Sequence, residues 1–233
     1  MQVAQQLYEG VDIGKKGPVG LISYIRTDSV RISKEAQAAA LEHIEANYGA
    51  EYVPAQPNVY RGRSNAQDAH EAIRPTDLKN SPKDLKGSLS ADQYKLYKLI
   101  YERFLSSQMS EAVLETTTAS FDVNGVTFKA AGVRTLFPGF TVIYTEGRDD
   151  QGEKEVQLPP IHMGDSFTPK TVIPEQKFTQ PPARYTEATL VKTLEEKGIG
   201  RPSTYAPPSP PSWIGGTCSG RRRCCSPRSW GSW

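Results

Sequence analysis

Residues Gly20-Leu-Ile-Ser-Tyr-Ile-Arg-Thr-Asp-Ser29 run from a short apolar stretch into a polar, charged turn. The apolar part predicts a strand from Leu21 to Ile25. Because side chains alternate along a strand, Tyr24 and Arg26 are expected on one face, with the polar turn closing that surface. A phenol and a guanidinium placed together suit a nucleophile and an anion clamp acting on one phosphate. Taken alone, the segment favours a simpler interpretation, a half-buried strand tyrosine beside a solvated arginine.

Two further motifs lie downstream of this segment and shift the preference toward the nucleophile interpretation. The first is Ala66-Gln-Asp-Ala-His-Glu-Ala-Ile-Arg-Pro-Thr76. The second begins as Arg184-Tyr-Thr-Glu-Ala-Thr-Leu190 and continues as Gly198-Ile-Gly-Arg-Pro-Ser-Thr-Tyr-Ala206. Together with residues 20 to 33, and in the same order, they resemble the active-site segments of the type IA DNA topoisomerases, the bacterial topoisomerase I group. The resemblance extends over roughly residues 1 to 206.

This resemblance implies a mixed α/β, multi-domain fold that forms part of the type IA topoisomerase torus. It implies DNA as the partner, in single-stranded segments of a negatively supercoiled duplex that the full-length protein relaxes without ATP. Tyr24 would be the nucleophile, keeping the 5′ phosphate as a phosphotyrosine and releasing a 3′ hydroxyl. A free phenol has a pKa near 10, so the site must supply a proton acceptor or cationic stabilisation. Arg26 suits the second role, since its planar fork matches non-bridging phosphate oxygens.

The second motif contributes two candidates for DNA binding. By resemblance, His70 is expected near the scissile strand, where it holds or positions a phosphate rather than acting as the sole base. Arg74 is a candidate contact to the DNA backbone. An ion pair between Arg74 and Glu71 explains the same arginine equally well.

The third motif is a short turn that carries a guanidinium and two hydroxyls. Arg201, Ser203 and Thr204 suit contacts to backbone phosphates, which position a strand without reading its sequence. The hydroxyls are also typical caps of a following helix, and both roles can hold at once. Arg184, at the start of the preceding helix, is a further candidate for DNA binding.

The resemblance also implies Mg²⁺, which the family needs for religation. Its acidic ligands belong to an N-terminal metal-binding (Toprim) domain that this chain is expected to lack, and no paired-carboxylate motif replaces them. Asp149 and Asp150 are adjacent acids, but they are expected at a solvated hairpin tip. The chain alone is therefore expected to be incomplete and unable to finish a relaxation cycle.

The formal charge of +2 conceals a split along the chain. The last 27 residues hold four of the 28 basic side chains and none of the 26 acidic ones, so residues 1 to 206 carry −2. DNA binding is therefore expected from locally clustered Arg and Lys rather than from net charge. No apolar run reaches the roughly 18 residues of a membrane helix, and no signal peptide is recognisable. The chain is expected in the cytoplasm with the nucleoid, and neither a membrane nor a partner protein is implied.

Four helices and a helical turn are predicted from caps and apolar spacing. The first, residues 1 to 9, lacks an N-cap, which predicts that the chain begins inside a helix. The others run from the Ser33 cap to Gly49, from a Ser90 capping box to about Ser110, and from the Thr186 cap to Lys197, with the turn at His70. An aromatic stripe in the third helix is expected in the core and comprises Tyr94, Tyr97, Tyr101 and Phe104.

Beyond about residue 112 the pattern changes from helix to strand. Alternation around Asn124-Gly125 predicts a hairpin, and residues 140–146 and 166–174 continue the β pattern. The expected domains are 1–112, an α/β domain bearing the tyrosine, and 113–180, a β-rich gate or arch segment. They are followed by 181–206, the start of a helical base domain with the DNA-contacting turn, and by 207–233.

Residues 207–233 are expected to be disordered, because Pro, Ser, Arg, Cys and Trp dominate them. The tail holds all three cysteines, without a zinc spacing. One interpretation is a basic arm. We favour a frameshift as a hypothesis, since back-translating Pro207 to Cys218 with one choice of codons and shifting the frame gives TISTILDRRYV, which resembles what the family carries after this motif. The nucleotide sequence of the gene decides between the two.

Two alternatives to the enzyme fragment follow from the same residues. One is a non-catalytic DNA-binding module in which Tyr24 merely packs. The other is an inactive truncated product that folds poorly. A covalent adduct with single-stranded DNA distinguishes the first from a cleaving enzyme, and a cooperative melt argues against the second.

Overall fold

The computed structural model describes residues 1–14, 17–60, 70–145, 158–200 and 204, and the backbone of 218–221 and 224–227. The residues group into two compact units. The larger unit comprises Val3–Ile25 and Ser29–Lys170, and the smaller one comprises Met1–Gln2, Arg26–Asp28 and Thr171–Trp233. The predicted domain boundaries at 112, 180 and 206 stay predictions.

Three helices build the larger unit, and each lies where the sequence predicts it. Helix α1 spans Gln2–Glu9, α2 spans Lys34–Tyr48 and α3 spans Ala91–Ser107. The Ser33 hydroxyl accepts a hydrogen bond from the Ala36 N–H, which caps α2. Ser90 and Gln93 cap α3 reciprocally, in the predicted capping box.

The core of this unit gathers side chains from all three helices and from the Tyr24 segment. Tyr97, Tyr101 and Phe104 are buried in it, and Tyr94 packs against it half-buried, so the prediction that the aromatic stripe forms core is confirmed. The other buried hydrophobic residues of the cluster are Leu7, Leu21, Ile22, Ile25, Ala40, Ile44, Leu85, Leu89, Leu105 and Met109. The active-site segment is therefore anchored directly in the core.

The buried tyrosines predict a loss of stability at high pH. Burial, reinforced by nearby Tyr48, Asp84 and Asp77, raises the pKa of Tyr101 to about 12, and burial raises the pKa of Tyr97 further. An unfolded tyrosine titrates near 10. Both tyrosines have a higher pKa in the folded protein than in the unfolded one. The stabilisation that they contribute to folding is therefore complete below about pH 10 and is lost as the pH rises toward the folded pKa.

We expect urea midpoints to fall between about pH 10 and 12, and to fall less steeply in Tyr101→Phe. At neutral pH this variant should be less stable by about 1 kcal/mol, because the Tyr101 hydroxyl donates to the Leu78 carbonyl at 2.8 Å. Equal alkaline slopes in the two proteins would contradict this account of Tyr101.

A long β-hairpin leaves this core, as the Asn-Gly signal predicts. Strands β1 (Val11–Asp12) and β2 (Pro18–Val19) form a minimal antiparallel pair, and β3 (Val113–Val123) pairs with β4 (Val126–Phe137) in the hairpin. Asn124 (φ 53°) and Gly125 (φ 83°) both have positive φ, as the tight two-residue turn between β3 and β4 requires.

Hydrogen bonds fasten the root of the hairpin to the helical part. The Ser110 N–H donates to the Tyr52 carbonyl at 2.9 Å, and the Phe140 N–H donates to the Ser110 carbonyl at 3.0 Å. Gly139 adopts φ +48°, and a Cβ there would lie 2.5 Å from the backbone of Glu111. The close approach therefore requires glycine at position 139.

Two predicted β segments are wrong. Residues Gly139–Val142 form a 3₁₀ turn instead of continuing the β pattern, because the left-handed backbone at Gly139 turns the chain just after β4. Residues 166–174 contain no strand, and Val172 and Ile173 are 73% and 75% exposed. Alternating apolar residues form a strand only where a partner strand completes the hydrogen bonds. Asp149 and Asp150 lie outside the described residues.

In the smaller unit, α4 spans Glu187–Glu196 and is capped by Thr186, as predicted. Within the described backbone of the tail, β5 (Cys218–Arg221) pairs antiparallel with β6 (Cys224–Pro227). The expectation that 207–233 is disordered stays a prediction. The composition of the tail indicates whether its side chains can form a core, whereas a two-stranded ladder needs only backbone hydrogen bonds. Among the described residues, no helix is both long enough and apolar enough to cross a membrane.

Candidate active site

The Tyr24 segment is extended but is not the predicted strand. Among the described residues it forms a single antiparallel bridge, Ile22 to Pro75. Its backbone groups bond in two directions: the Leu21 N–H donates to the Leu7 carbonyl of α1 at 2.8 Å, and the Ser23 N–H donates to the Arg74 carbonyl at 2.9 Å. The segment thus bonds to the end of α1 and to residues 74–76 rather than to a full partner strand, so the bridge does not extend into a regular ladder.

The segment that follows His70 lies beside the Tyr24 segment. The Ser23 hydroxyl donates to the Ala72 carbonyl at 2.8 Å and accepts from the Arg74 N–H at 2.9 Å. The Thr76 hydroxyl donates to the Gly20 carbonyl at 2.7 Å. The predicted helical turn is therefore wrong for residues 70–76, because their backbone groups bond sideways to the Tyr24 segment. Residues 61–69 lie outside the described part of the chain.

Tyr24 stands on this platform with its ring accessible to solvent. Its side chain is 38% exposed, whereas Ile22 and Ile25 are 1% and 6% exposed. The His70 ring lies 5.3 Å from the Tyr24 ring, centroid to centroid, with the planes tilted by 42°. The structure thus brings together the first and second motifs, with the nucleophile candidate beside His70.

Arg74 forms the ion pair that the sequence offered as the alternative to DNA contact. Its Nε and Nη2 lie 3.0 and 2.8 Å from Oε2 of Glu71, and its Nη1 donates to the Pro75 carbonyl at 3.0 Å. The Arg74 side chain is 19% exposed. A DNA phosphate would have to share or displace Glu71, so the DNA-binding role of Arg74 stays a prediction.

Among the remaining predicted site residues, Arg26, Arg184 and Thr204 belong to the smaller unit. Arg26 and Arg184 are exposed, as cations that meet a phosphate must be. Thr204 is also exposed, whereas Arg201 and Ser203 lie outside the described residues. The catalytic role of Arg26 and the DNA-binding roles of the other four stay predictions.

Sequence reasoning missed three residues that shape the site. Ser23 and Thr76 join the two motifs through the hydrogen bonds described above. Tyr8, in the last turn of α1, contacts the Tyr24 ring with centroids 5.6 Å apart. No signal in the sequence singled out Tyr8, which is one residue of the last turn of the predicted first helix.

The described residues offer no fit for a metal ion. Within them, no three His, Cys, Asp or Glu side chains cluster as ligands would. The Mg²⁺ that the resemblance implies therefore has no donor set among the described residues.

The family of the chain is decided by comparison with known proteins. The DNA topoisomerase family model matches residues 1–208. The chain belongs to this family. Its fold is also similar to the full-length topoisomerase I from Thermotoga maritima, with a TM-score of 0.78 and 36% sequence identity. That match covers 97% of this chain and 36% of the Thermotoga protein, so the chain spans about a third of that relative's length.

These findings confirm the predicted family and the predicted fold class. The chain is a type IA DNA topoisomerase fragment, as the three motifs predicted. Its mixed α/β architecture of helices and small antiparallel sheets is confirmed by the same structural match. Site residues and domain boundaries are tested by neither comparison.

Proposed function

We propose that this chain carries the DNA-cleaving tyrosine of a type IA topoisomerase. In the complete protein the activity is ATP-independent relaxation of negatively supercoiled DNA, with cleavage and religation of one strand. We place that protein in the cytoplasm with the nucleoid, because its DNA lies there. The single observation that carries the proposal is the exposed Tyr24 phenol beside His70 on a segment rooted in the core.

The proposed step is an exchange of one phosphate ester for another. The Tyr24 oxygen attacks the phosphorus of a phosphodiester, and the bond from phosphorus to the 3′ oxygen breaks. The 5′ phosphate stays on the tyrosine, the phenol loses its proton, and the released 3′ oxygen takes one up. Attack by the 3′ hydroxyl reverses the step, so the energy of the broken bond is conserved.

The surroundings of Tyr24 support this role physically. A nucleophile on a core-anchored segment is presented in a restricted set of positions, which reduces the entropy lost on reaching the phosphate. His70 is close enough to contact a phosphate approaching the phenol, and Arg26 supplies a guanidinium two residues along the chain. Arg184, Arg201, Ser203 and Thr204 are proposed to hold the DNA backbone of single-stranded segments.

The test is a covalent adduct. A chimera in which residues 1–206 replace the matching segment of the Thermotoga maritima relative supplies the rest of the protein. Mixed with a labelled single-stranded oligonucleotide and quenched with SDS, it should yield a protein-linked DNA band. An adduct excludes the non-catalytic DNA-binding module, whereas DNA binding without an adduct in the chimera would support that module instead.

Single-strand binding by the chain should weaken steeply with salt. Phosphate contacts release counterions, and each one contributes about −0.7 to the slope of log affinity against log salt. We expect a slope steeper than about −2, measured by fluorescence anisotropy with oligonucleotides of different sequence but equal length. Affinity that ignores salt, or that depends strongly on sequence, would contradict binding through the backbone.

A further inference from the structure

Tyr8, at the end of α1, contacts the Tyr24 ring edge-on. The ring centroids are 5.6 Å apart and the ring planes meet at 70°. In this arrangement the positive edge of one ring meets the negative face of the other. With His70 at 5.3 Å, Tyr24 has two aromatic neighbours that come from different parts of the chain.

The last turn of α1 is fixed against the Tyr24 segment. The Leu21 N–H donates to the Leu7 carbonyl at 2.8 Å, and both leucine side chains are fully buried. A Cβ at Gly20 would lie 2.7 Å from the Tyr8 carbonyl oxygen, closer than real Cβ atoms come. The approach of α1 to the segment therefore depends on the absence of a side chain at Gly20.

Burial in the core alone does not explain the position of the Tyr8 ring. It is 38% exposed, whereas the neighbouring Leu7 is 0% exposed and supplies the helix's contact with the core. In the part of the chain that the structure describes, neither the Tyr8 nor the Tyr24 hydroxyl forms a hydrogen bond. The ring contacts are thus the interactions that orient both side chains.

We propose that Tyr8 is a positioning residue for the Tyr24 phenol, an inference that rests on the proposed function. The Tyr8 ring restricts the rotation of Tyr24, so the phenol oxygen points in a narrow range of directions before DNA arrives. Such pre-organisation raises the rate of the chemical step without raising the affinity for DNA. Gly20 is the residue that lets α1 come close enough to provide the ring.

The first readout needs no DNA cleavage. In the chain labelled with ¹³C-tyrosine, the Tyr24 ring resonances are assigned by their loss in Tyr24→Phe. We expect Tyr8→Leu, which keeps apolar bulk without a ring, to shift them, and Tyr8→Phe to restore them. Gly20→Ala should shift them as well, whereas Gly87→Ala, with nothing within 4 Å of its Cβ, should not. Tyr24 resonances that are unchanged in Tyr8→Leu would overturn the proposal.

The second readout is the single-turnover rate of adduct formation in the chimera. Tyr8→Leu should lower that rate at saturating oligonucleotide by roughly fivefold, the worth of one aromatic pair, while the dissociation constant for DNA stays the same. Tyr8→Phe should recover most of the rate. A loss of affinity at constant rate would overturn the positioning role. If the wild-type chimera forms no adduct, the proposed function fails, and the resonance shifts still decide whether Tyr8 orients Tyr24.

Discussion

Tyr24→Phe is expected to abolish the covalent adduct, with a loss of at least about a thousandfold in the chimera. The substitution removes one oxygen and keeps the ring, so the contacts with Tyr8 and His70 are retained. The ring is 38% exposed and, within the described residues, its hydroxyl bonds to nothing, so stability should change by less than about 0.5 kcal/mol. Gel analysis of the SDS-quenched reaction and a thermal melt measure the two effects.

The matched control is Tyr60→Phe. Tyr60 is also an exposed tyrosine of the larger unit, at 47%, but it lies outside the site and donates to the Ser107 carbonyl. This variant should form the adduct as the unsubstituted chimera does. An adduct that persists in Tyr24→Phe would show that another group is the nucleophile.

Gly139→Ala is expected to destabilise the larger unit by at least about 2 kcal/mol. Position 139 has φ +48°, where an L side chain is strained, and the added Cβ would lie 2.5 Å from the carbonyl carbon and oxygen of Glu111. Those atoms are backbone and cannot swing away as a flexible side chain would. The root of the hairpin must shift, which weakens the bonds through Ser110. Urea unfolding followed by circular dichroism measures the loss.

Two glycine variants separate the causes of that loss. Gly125→Ala also places an L side chain at positive φ, here +83°, but its Cβ meets nothing within 4 Å, so it should cost about 1 to 2 kcal/mol. Gly87→Ala has neither strain nor a close neighbour and should stay within about 0.5 kcal/mol. A Gly139→Ala variant no less stable than Gly125→Ala would contradict the steric account of the hairpin root.

Local signals in the sequence determined the helices and the hairpin. Ser33, Ser90 and Thr186 predicted where helices begin because a cap bonds to backbone only three residues away. Asn124-Gly125 predicted the hairpin because only a few residues tolerate positive φ at both turn positions. The predicted strands at 140–146 and 166–174 failed because strand formation depends on a distant partner.

The site was predicted less completely, for the same reason. The resemblance named Tyr24 and His70, and the structure places their rings in contact. Alternation alone did not reveal that Ser23 and Thr76 join the two motifs, or that Tyr8 reaches the Tyr24 ring, because these contacts join residues that are not neighbours in the sequence. The sequence could state that Arg74 had two possible partners, and only the folded chain shows its pairing with Glu71.

The most direct test of the central claim is to locate the DNA on the polypeptide. The trapped adduct of the chimera is digested with nuclease and trypsin, and the peptides are sequenced by mass spectrometry. Tyr24 is the only tyrosine of tryptic peptide 17–26, whereas Tyr8 lies in the peptide that ends at Lys15. We expect a nucleotide linked through its 5′ phosphate to Tyr24. A nucleotide on Tyr8 or on any other residue, with peptide 17–26 unmodified, would contradict the account.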